Sequence, residues 1–186
     1  MVALDHHKSN DELVAALDVI RRAPAEQGTL ELIVRRPRVD EQEVLEEASL
    51  DLVEGLAGDD WIRRGSRSTP DGGPNPLAQL TVMSARAAEA VAGDRERWPL
   101  AGDQLYVDLD ISVDNLPAGT RLAIGEAVIE VTEEPHTGCN KFSARFGSEA
   151  IKFVNKSPGR ELRLRGLNAV VITPGTVRVG DAVTKL

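Results

Sequence analysis

The sequence contains little cysteine, few aromatic residues and no long apolar run. Its single cysteine, Cys139, excludes an intramolecular disulfide and fits a reducing compartment. Aromatic residues make up only 3% of the chain, so a core must be built mainly from Leu, Val, Ile and Ala. No apolar stretch approaches the roughly 18 residues needed to cross a bilayer. Residues 1–10 are polar and contain no signal-peptide core. We therefore expect a soluble cytoplasmic protein.

Basic charge is also scarce. The chain has 22 Lys and Arg residues against 30 Asp and Glu residues, which gives a formal net charge of −8. Nucleic acids and anionic membranes are bound by clustered basic side chains, so neither is expected as the main partner. The length of 186 residues and the 41% hydrophobic content are those of one globular domain.

Two segments have helical periodicity. Ser9 and Glu12 have the spacing of a capping box, and the apolar positions that follow recur every three or four residues. This pattern predicts a helix over residues 10–22. A second apolar stripe predicts a helix over residues 77–91.

Short alternating segments dominate the rest of the chain. Residues 161–165 alternate between polar and apolar side chains, which predicts a strand. Residues 168–179 contain the turn-forming pair Pro174-Gly175 and predict a hairpin. Residues 43–57 fit either a helix or a strand with one wet face. Many short strands at close spacing favour a β-barrel or a β-sandwich.

Cys139 is the first candidate for chemistry. It lies in a turn directly after the predicted strand at residues 128–131, and His136, Lys141 and Arg145 are close to it in sequence. Cations near a thiol favour the thiolate, the form that attacks electrophiles and binds metals. A free cysteine is also often a small buried core residue, and the residues alone leave that alternative open.

The second candidate is a long loop over residues 63–76, which contains nothing that could form a core. Arg63, Arg64 and Arg67 stand there beside Ser and Thr side chains. Guanidinium groups and hydroxyls together suit a phosphate or pyrophosphate group. A solvated mobile loop is the alternative interpretation.

Five short motifs follow one another in a recognisable order between residues 55 and 181. They are Gly55-Leu56-Ala57-Gly58-Asp59, Ala101-Gly102-Asp103-Gln104-Leu105, Ile124-Gly125-Glu126-Ala127-Val128-Ile129-Glu130-Val131-Thr132, Pro135-His136-Thr137-Gly138-Cys139, and Arg165-Gly166-Leu167-Asn168-Ala169-Val170 with Gly175-Thr176-Val177-Arg178-Val179-Gly180-Asp181. This order, with the only cysteine in the fourth motif, resembles the MOSC domain family, named for the C-terminal part of molybdenum cofactor sulfurases.

The resemblance implies a mainly β fold with peripheral helices (α+β). The barrel would be closed or partly open, would be related to the barrel domain of pyruvate kinase, and would have the cysteine facing a cleft. On this basis we expect residues 28–186 to form the barrel and residues 1–27 to form an N-terminal helical extension.

The resemblance also implies a function. Family members carry sulfur as a cysteine persulfide or hold molybdenum cofactor (molybdopterin) with the thiolate as a metal ligand, and some small relatives reduce N-hydroxylated compounds. Cys139 would then be both the catalytic residue and the metal ligand. The residues expected to bind the anionic cofactor are His136, Lys141, Arg145, Arg63, Arg64 and Arg67.

The protein would accordingly be sulfurtransferase-like or a molybdenum-dependent oxidoreductase, served by a sulfur donor or a redox partner protein. The larger sulfurases also contain a pyridoxal phosphate domain, and this chain is too short to include it, so pyridoxal phosphate is not expected here. The alternative function is a non-catalytic barrel that binds an anionic small molecule or a protein partner.

Overall fold

A computed structural model of the protein describes residues 7–186, which contain eleven strands and four α-helices. The strands are β1 (Gln27–Arg35), β2 (Glu43–Leu45), β3 (Glu47–Asp51), β4 (Gly55–Leu56), β5 (Leu80–Ser84), β6 (Leu105–Asp108), β7 (Arg121–Ile124), β8 (Ala127–Val131), β9 (Leu167–Thr173), β10 (Gly175–Arg178) and β11 (Ala182–Lys185). The α-helices are α1 (Asn10–Ala15), α2 (Leu17–Arg21), α3 (Ala85–Ala92) and α4 (Asn140–Asn155), and Pro76–Ala78 and Arg95–Ala101 are 3₁₀ helices.

Seven of these strands close into a barrel in the order β11-β7-β8-β9-β5-β6-β1, with β11 pairing back onto β1. Only the β5–β6 pair is parallel among the barrel pairings of the described chain. Parallel strands need a crossover rather than a tight turn, and α3 with the 3₁₀ helix Arg95–Ala101 provides it. Strand β2 extends the sheet beyond β1, and β10, β3 and β4 form a second small sheet. The predicted mainly β barrel with peripheral helices is therefore confirmed.

Strand β6 shows how the protein builds two apolar layers. Leu105 and Val107 point into the barrel, whereas Tyr106 points outward into a second cluster formed by the helices, and all three side chains are fully buried. Side chains alternate between the two faces of a strand, so a strand that is covered on both faces must be apolar throughout. The outer layer contains most of the few aromatic residues.

The N-terminal helix begins as the sequence predicts. The Ser9 side chain accepts a hydrogen bond from the Glu12 backbone, and the Glu12 side chain accepts one from the Ser9 backbone. The predicted single helix is divided at Ala16 into α1 and α2. Leu13 is fully buried in the outer layer that also contains residues of α4. Residues 1–6 of the predicted extension lie outside the described residues.

The predicted helix over residues 77–91 is wrong in its first half. Residues 80–84 form β5, and all five of its side chains are buried. Leu80 and Val82 face the barrel interior, while Met83 faces the helices. A strand buried on both faces has no alternation, and its continuous apolar run merges with the stripe of the following helix α3.

The predicted strand over residues 161–165 is also wrong, because this segment forms a series of turns. Arg163 has a left-handed backbone with φ of 50°, and its guanidinium donates to the carbonyls of Ile111 and Leu116. Arg165 instead binds Asp103. The apparent alternation comes from two arginines with separate buried partners.

The predicted hairpin over residues 168–179 does not form. Strand β9 pairs with β8 and β5 in the barrel, whereas β10 pairs with β3 in the small sheet, where Val177 faces Ala48 across the pair. The bend at Pro174 thus leads the chain from one sheet to the other. Within residues 7–186, no helix combines the length and the apolar character required to span a membrane.

Candidate functional site

A cleft with a volume of about 550 Å³ lies between the β1–β2 loop, the loop that follows Asp60 and the turn that precedes α4. Cys139 and His136 both line it. The cationic residues among its lining are Arg36, Arg38, Arg64, Lys141, Arg145 and Arg165. These cations outnumber the acidic residues of the lining, Asp40, Glu41, Asp60 and Glu134, although the chain as a whole has a net charge of −8.

Cys139 is exposed and immediately precedes α4. Its backbone is extended, and its carbonyl accepts a hydrogen bond from the Ser143 amide at 3.0 Å in the first turn of the helix. Asn155, at the far end of α4, accepts from the Gly138 amide at 2.8 Å and donates to the Gly138 carbonyl at 3.1 Å. These two bonds fix the turn that presents the thiol, and its exposure rules out the buried-core alternative.

A buried carboxylate organises the wall beside this turn. Asp103 is fully buried and lies 2.8 Å from Nε2 of His136, and it also binds Nη1 of Arg165. Burial raises the pKa of Asp103, but the charge of Arg165 and the hydrogen bonds from Arg165 and His136 outweigh it and leave the pKa below its usual range. Asp103 is therefore ionised at neutral pH.

His136 is shaped by the same surroundings. Burial, followed by the nearby charge of Arg165, lowers the pKa of His136, although Asp103 acts in the opposite direction. The imidazole is thus neutral at neutral pH. Because ionised Asp103 can only accept, Nε2 of His136 must carry the proton and donate, which makes Nδ1 an acceptor.

A second buried carboxylate, that of Asp59, holds another arginine of the cleft lining. Asp59 is fully buried and accepts two hydrogen bonds from the guanidinium of Arg36, from Nε at 3.0 Å and from Nη2 at 2.9 Å, and a third from the Arg36 amide at 2.9 Å. This bidentate pairing fixes both the position and the plane of the guanidinium group. Arg64 donates a hydrogen bond at 2.6 Å to the carboxylate of Asp60, the residue that follows Asp59.

The end of the 3₁₀ helix Arg95–Ala101 gathers three arginines. The consecutive carbonyls of Leu100, Ala101 and Gly102 accept hydrogen bonds from Arg145, Arg165 and Arg36, at 2.7, 2.9 and 2.8 Å respectively. The last carbonyls of a helix have no partner within it and carry partial negative charge, so they attract cations. One helix end thereby draws guanidinium groups from three separate elements into the cleft wall.

The structure brings most of the predicted site residues together. His136, Cys139, Lys141, Arg145 and Arg64 all line the cleft. Two predicted cofactor ligands do not. The guanidinium of Arg63 donates to the Pro37 carbonyl at 3.3 Å, and Arg67 is exposed on the loop outside the cleft lining.

Sequence reasoning missed the buried polar residues that organise the cleft. Asp59, Asp103 and Arg165 stand in the recognised motifs, but their pairing depends on the barrel topology. Arg165 and Asn168 are at least nine-tenths buried, and both line the cleft. Nε of Arg165 and Oδ1 of Asn168 are buried without a partner within the described part of the chain, which leaves one donor and one acceptor unsatisfied.

The sequence profile of the MOSC domain matches residues 75–184, which is more than half of the chain. The protein belongs to the MOSC domain family. No curated protein matches this MOSC protein at a significant level.

Solved structures agree on the fold. The YuaD protein from Bacillus subtilis superposes with a TM-score of 0.65 at 16% identity, over 84% of this chain and 94% of that protein. YiiM from Escherichia coli superposes with a TM-score of 0.55 at 20% identity, over 85% of this chain and 69% of that protein. At such low identities these similarities establish only the fold of this MOSC protein.

Proposed function

We propose that this protein binds molybdenum cofactor, or carries sulfane sulfur, through Cys139. One observation carries the proposal: the only thiol of the chain is exposed in a cleft lined by six cationic side chains. The association of the MOSC family with molybdenum cofactor supports the same assignment. A soft thiolate suits both roles, because it binds soft metals and attacks sulfur readily.

The residues of the cleft fit the chemistry of the cofactor. The volume of about 550 Å³ lies within the usual range for small-molecule sites. Arg64, Lys141 and Arg145 would bind its phosphate through charge-assisted hydrogen bonds. The unpaired donor of Arg165 and the unpaired acceptor of Asn168 match the mixed donors and acceptors of a pterin ring. When bound, the cofactor would supply a redox-active metal for which Cys139 is the protein ligand.

The side chains of the cleft prepare the thiol for either role. Lys141 and Arg145 lie on the first turns of α4, the helix that begins directly after Cys139. The neutral imidazole of His136 lines the same cleft and provides an acceptor for a proton. His136 is held by Asp103, so the position of the imidazole is set before a ligand enters.

For the sulfur-carrier role, the donor would be a persulfide. The Cys139 thiolate attacks the outer sulfur of the donor, a new sulfur–sulfur bond forms at Cys139, and the sulfur–sulfur bond of the donor breaks. The donor leaves as a thiolate, and the transferred sulfur keeps its proton. This exchange is balanced without an added oxidant or reductant.

Metal analysis and intact-mass measurement of freshly purified protein test the proposal. We expect either molybdenum or one additional sulfur atom per chain, and we expect Cys139→Ser to lose it. The exposed position of Cys139 predicts an unchanged thermal midpoint for this variant, which serves as the folding control. Equal metal and sulfur contents in both proteins would contradict the proposal and favour a non-catalytic module that binds an anion.

A further inference from the structure

Asp40 connects the β1–β2 loop to α4. Its Oδ1 lies 2.8 Å from Nζ of Lys141 and 3.3 Å from Nη2 of Arg145. These are the cations assigned above to the phosphate of a ligand. The carboxylate of Asp40 therefore occupies the position that an oxyanion ligand would take.

The cation pair needs a counter-anion. Lys141 and Arg145 are four residues apart on α4 and so lie one turn apart on the same face, where like charges repel. The hydrogen bond and the charge of Lys141 lower the pKa of Asp40, and Arg145 contributes in the same direction. The Asp40 carboxylate is consequently ionised at neutral pH and offsets one of the two positive charges from within the chain.

The loop that carries Asp40 is fixed at both ends and loosely held between them. Arg36 is bound to buried Asp59 at one end, and Glu43 pairs with Arg35 at the other. Over residues 38–42, the side-chain hydrogen bonds to other elements of the described chain are those of Asp40 with α4. Asp40 and its neighbour Val39 are both exposed. Exposed ion pairs contribute little stability, so a competing anion can replace this contact.

We propose that residues 38–42 form a lid over the cleft, latched by Asp40, and that an oxyanion ligand opens the lid by displacing the Asp40 carboxylate from Lys141 and Arg145. The proposal uses the assignment of these two cations to an anionic ligand. It holds for any phosphate-bearing ligand, including one other than molybdenum cofactor. Because only molecules with an open lid can bind the ligand, the apparent affinity falls in proportion to the open fraction. Removal of the latch raises the open fraction and therefore raises the apparent affinity.

Titration calorimetry of the full chain with inorganic pyrophosphate tests the latch. Asp40→Asn keeps the shape of the side chain and removes its charge, and we expect it to bind pyrophosphate about three- to tenfold more tightly than the wild type. Glu47→Gln is the matched control, since it also removes one negative charge and one exposed ion pair with arginine but lies outside the lid and the cleft lining. It should leave the affinity unchanged.

Hydrogen exchange separates a moving lid from a simple gain in local charge. In the wild type, pyrophosphate should accelerate exchange of the amides of residues 38–42, and in Asp40→Asn these amides should exchange fast before any ligand is added. Unaltered exchange in this segment would overturn the lid. An affinity of Asp40→Asn equal to that of the wild type, or no binding by either protein, would overturn the latch. If wild-type protein contains neither molybdenum nor additional sulfur and the pyrophosphate results are as expected, only the proposed function is overturned.

Discussion

His136 donates a 2.8 Å hydrogen bond from Nε2 to the fully buried carboxylate of Asp103. The two residues lie on segments that meet only because β8 and the end of the crossover are brought together by the barrel. The contact fixes which imidazole nitrogen carries the proton and holds the ring in the cleft wall. Burial and the charge of Arg165, which act against this contact, keep the imidazole uncharged.

Stability should fall in mild acid because of His136. Burial lowers the pKa of His136 below 6.5 in the folded state. In mild acid the unfolded chain therefore binds a proton at His136 and the folded chain does not. The stabilising contribution of neutral His136 is present above about pH 6.5. It is lost as the pH falls from there towards the lowered pKa of the folded state. Asp103 also has a lowered pKa, but it loses its contribution only in more strongly acidic solution, below roughly pH 4.

Urea unfolding at about pH 7.5 and about pH 5.5 measures this difference. His136→Gln should unfold with a smaller change between the two pH values, because it removes the group that titrates. His7→Gln is the control, since His7 lies on the surface and should leave the change as in the wild type. A wild-type stability that is constant between these pH values would contradict the assignment of a buried neutral imidazole.

Asp103→Asn should destabilise the protein strongly. Arg165 is more than nine-tenths buried, and without the carboxylate its charge is left without a counter-ion in the interior. Removal of one partner from a buried ion pair typically costs about 3–5 kcal/mol. Denaturant unfolding at neutral pH should show this loss, and an unfolding midpoint equal to that of the wild type would mean that Arg165 finds another anion.

Gly166→Ala should disturb the same wall through the backbone. Gly166 has a φ of 115°, and a Cβ there would lie 2.5 Å from the Val82 carbonyl oxygen and 3.0 Å from Cδ2 of His136. The strained conformation and the clash should cost roughly 2–3 kcal/mol. A thermal melt gives the loss, and shifted His136 ring signals in proton NMR would show that the imidazole moves.

Arg64 and Arg67 should differ, although their positions in the sequence suggest equal roles. Arg64→Gln removes a guanidinium from the cleft lining and should weaken pyrophosphate binding by roughly tenfold. Arg67→Gln, at an exposed position outside the lining, removes the same charge and should leave binding nearly intact. Equal losses in the two variants would show that the loop binds the anion through its charge alone.

The sequence predicted several residues of the cleft lining, but not the contacts that hold them. Cys139 and its neighbouring cations can be found from local spacing, because a turn and the helix that follows it place them close together whatever the rest of the fold does. The pairing of Asp59 with Arg36 cannot be found in this way. It depends on the segment after β4, a strand of the small sheet, lying beside the end of β1.

Errors in the predicted elements have similar physical causes. Leu80 and Val82 belong to a strand that is covered on both faces, so the alternation that marks a half-buried strand is missing. Arg163 and Arg165 mimic alternation because each satisfies a distant buried partner. In both cases contacts made far along the chain override the local pattern.

The pairing of β1 with β11 should slow the folding of this protein. Near that seam Lys185 contacts Glu26, which is 159 positions away in the chain. Rates of folding fall as contacts join more distant parts of a chain, because long loops must be ordered before such contacts can form. Until β11 arrives, β1 and β7 each expose an unpaired strand edge that could join to another chain. Removal of β11 should therefore leave the edges of β1 and β7 unpaired and cause the chains to aggregate through them.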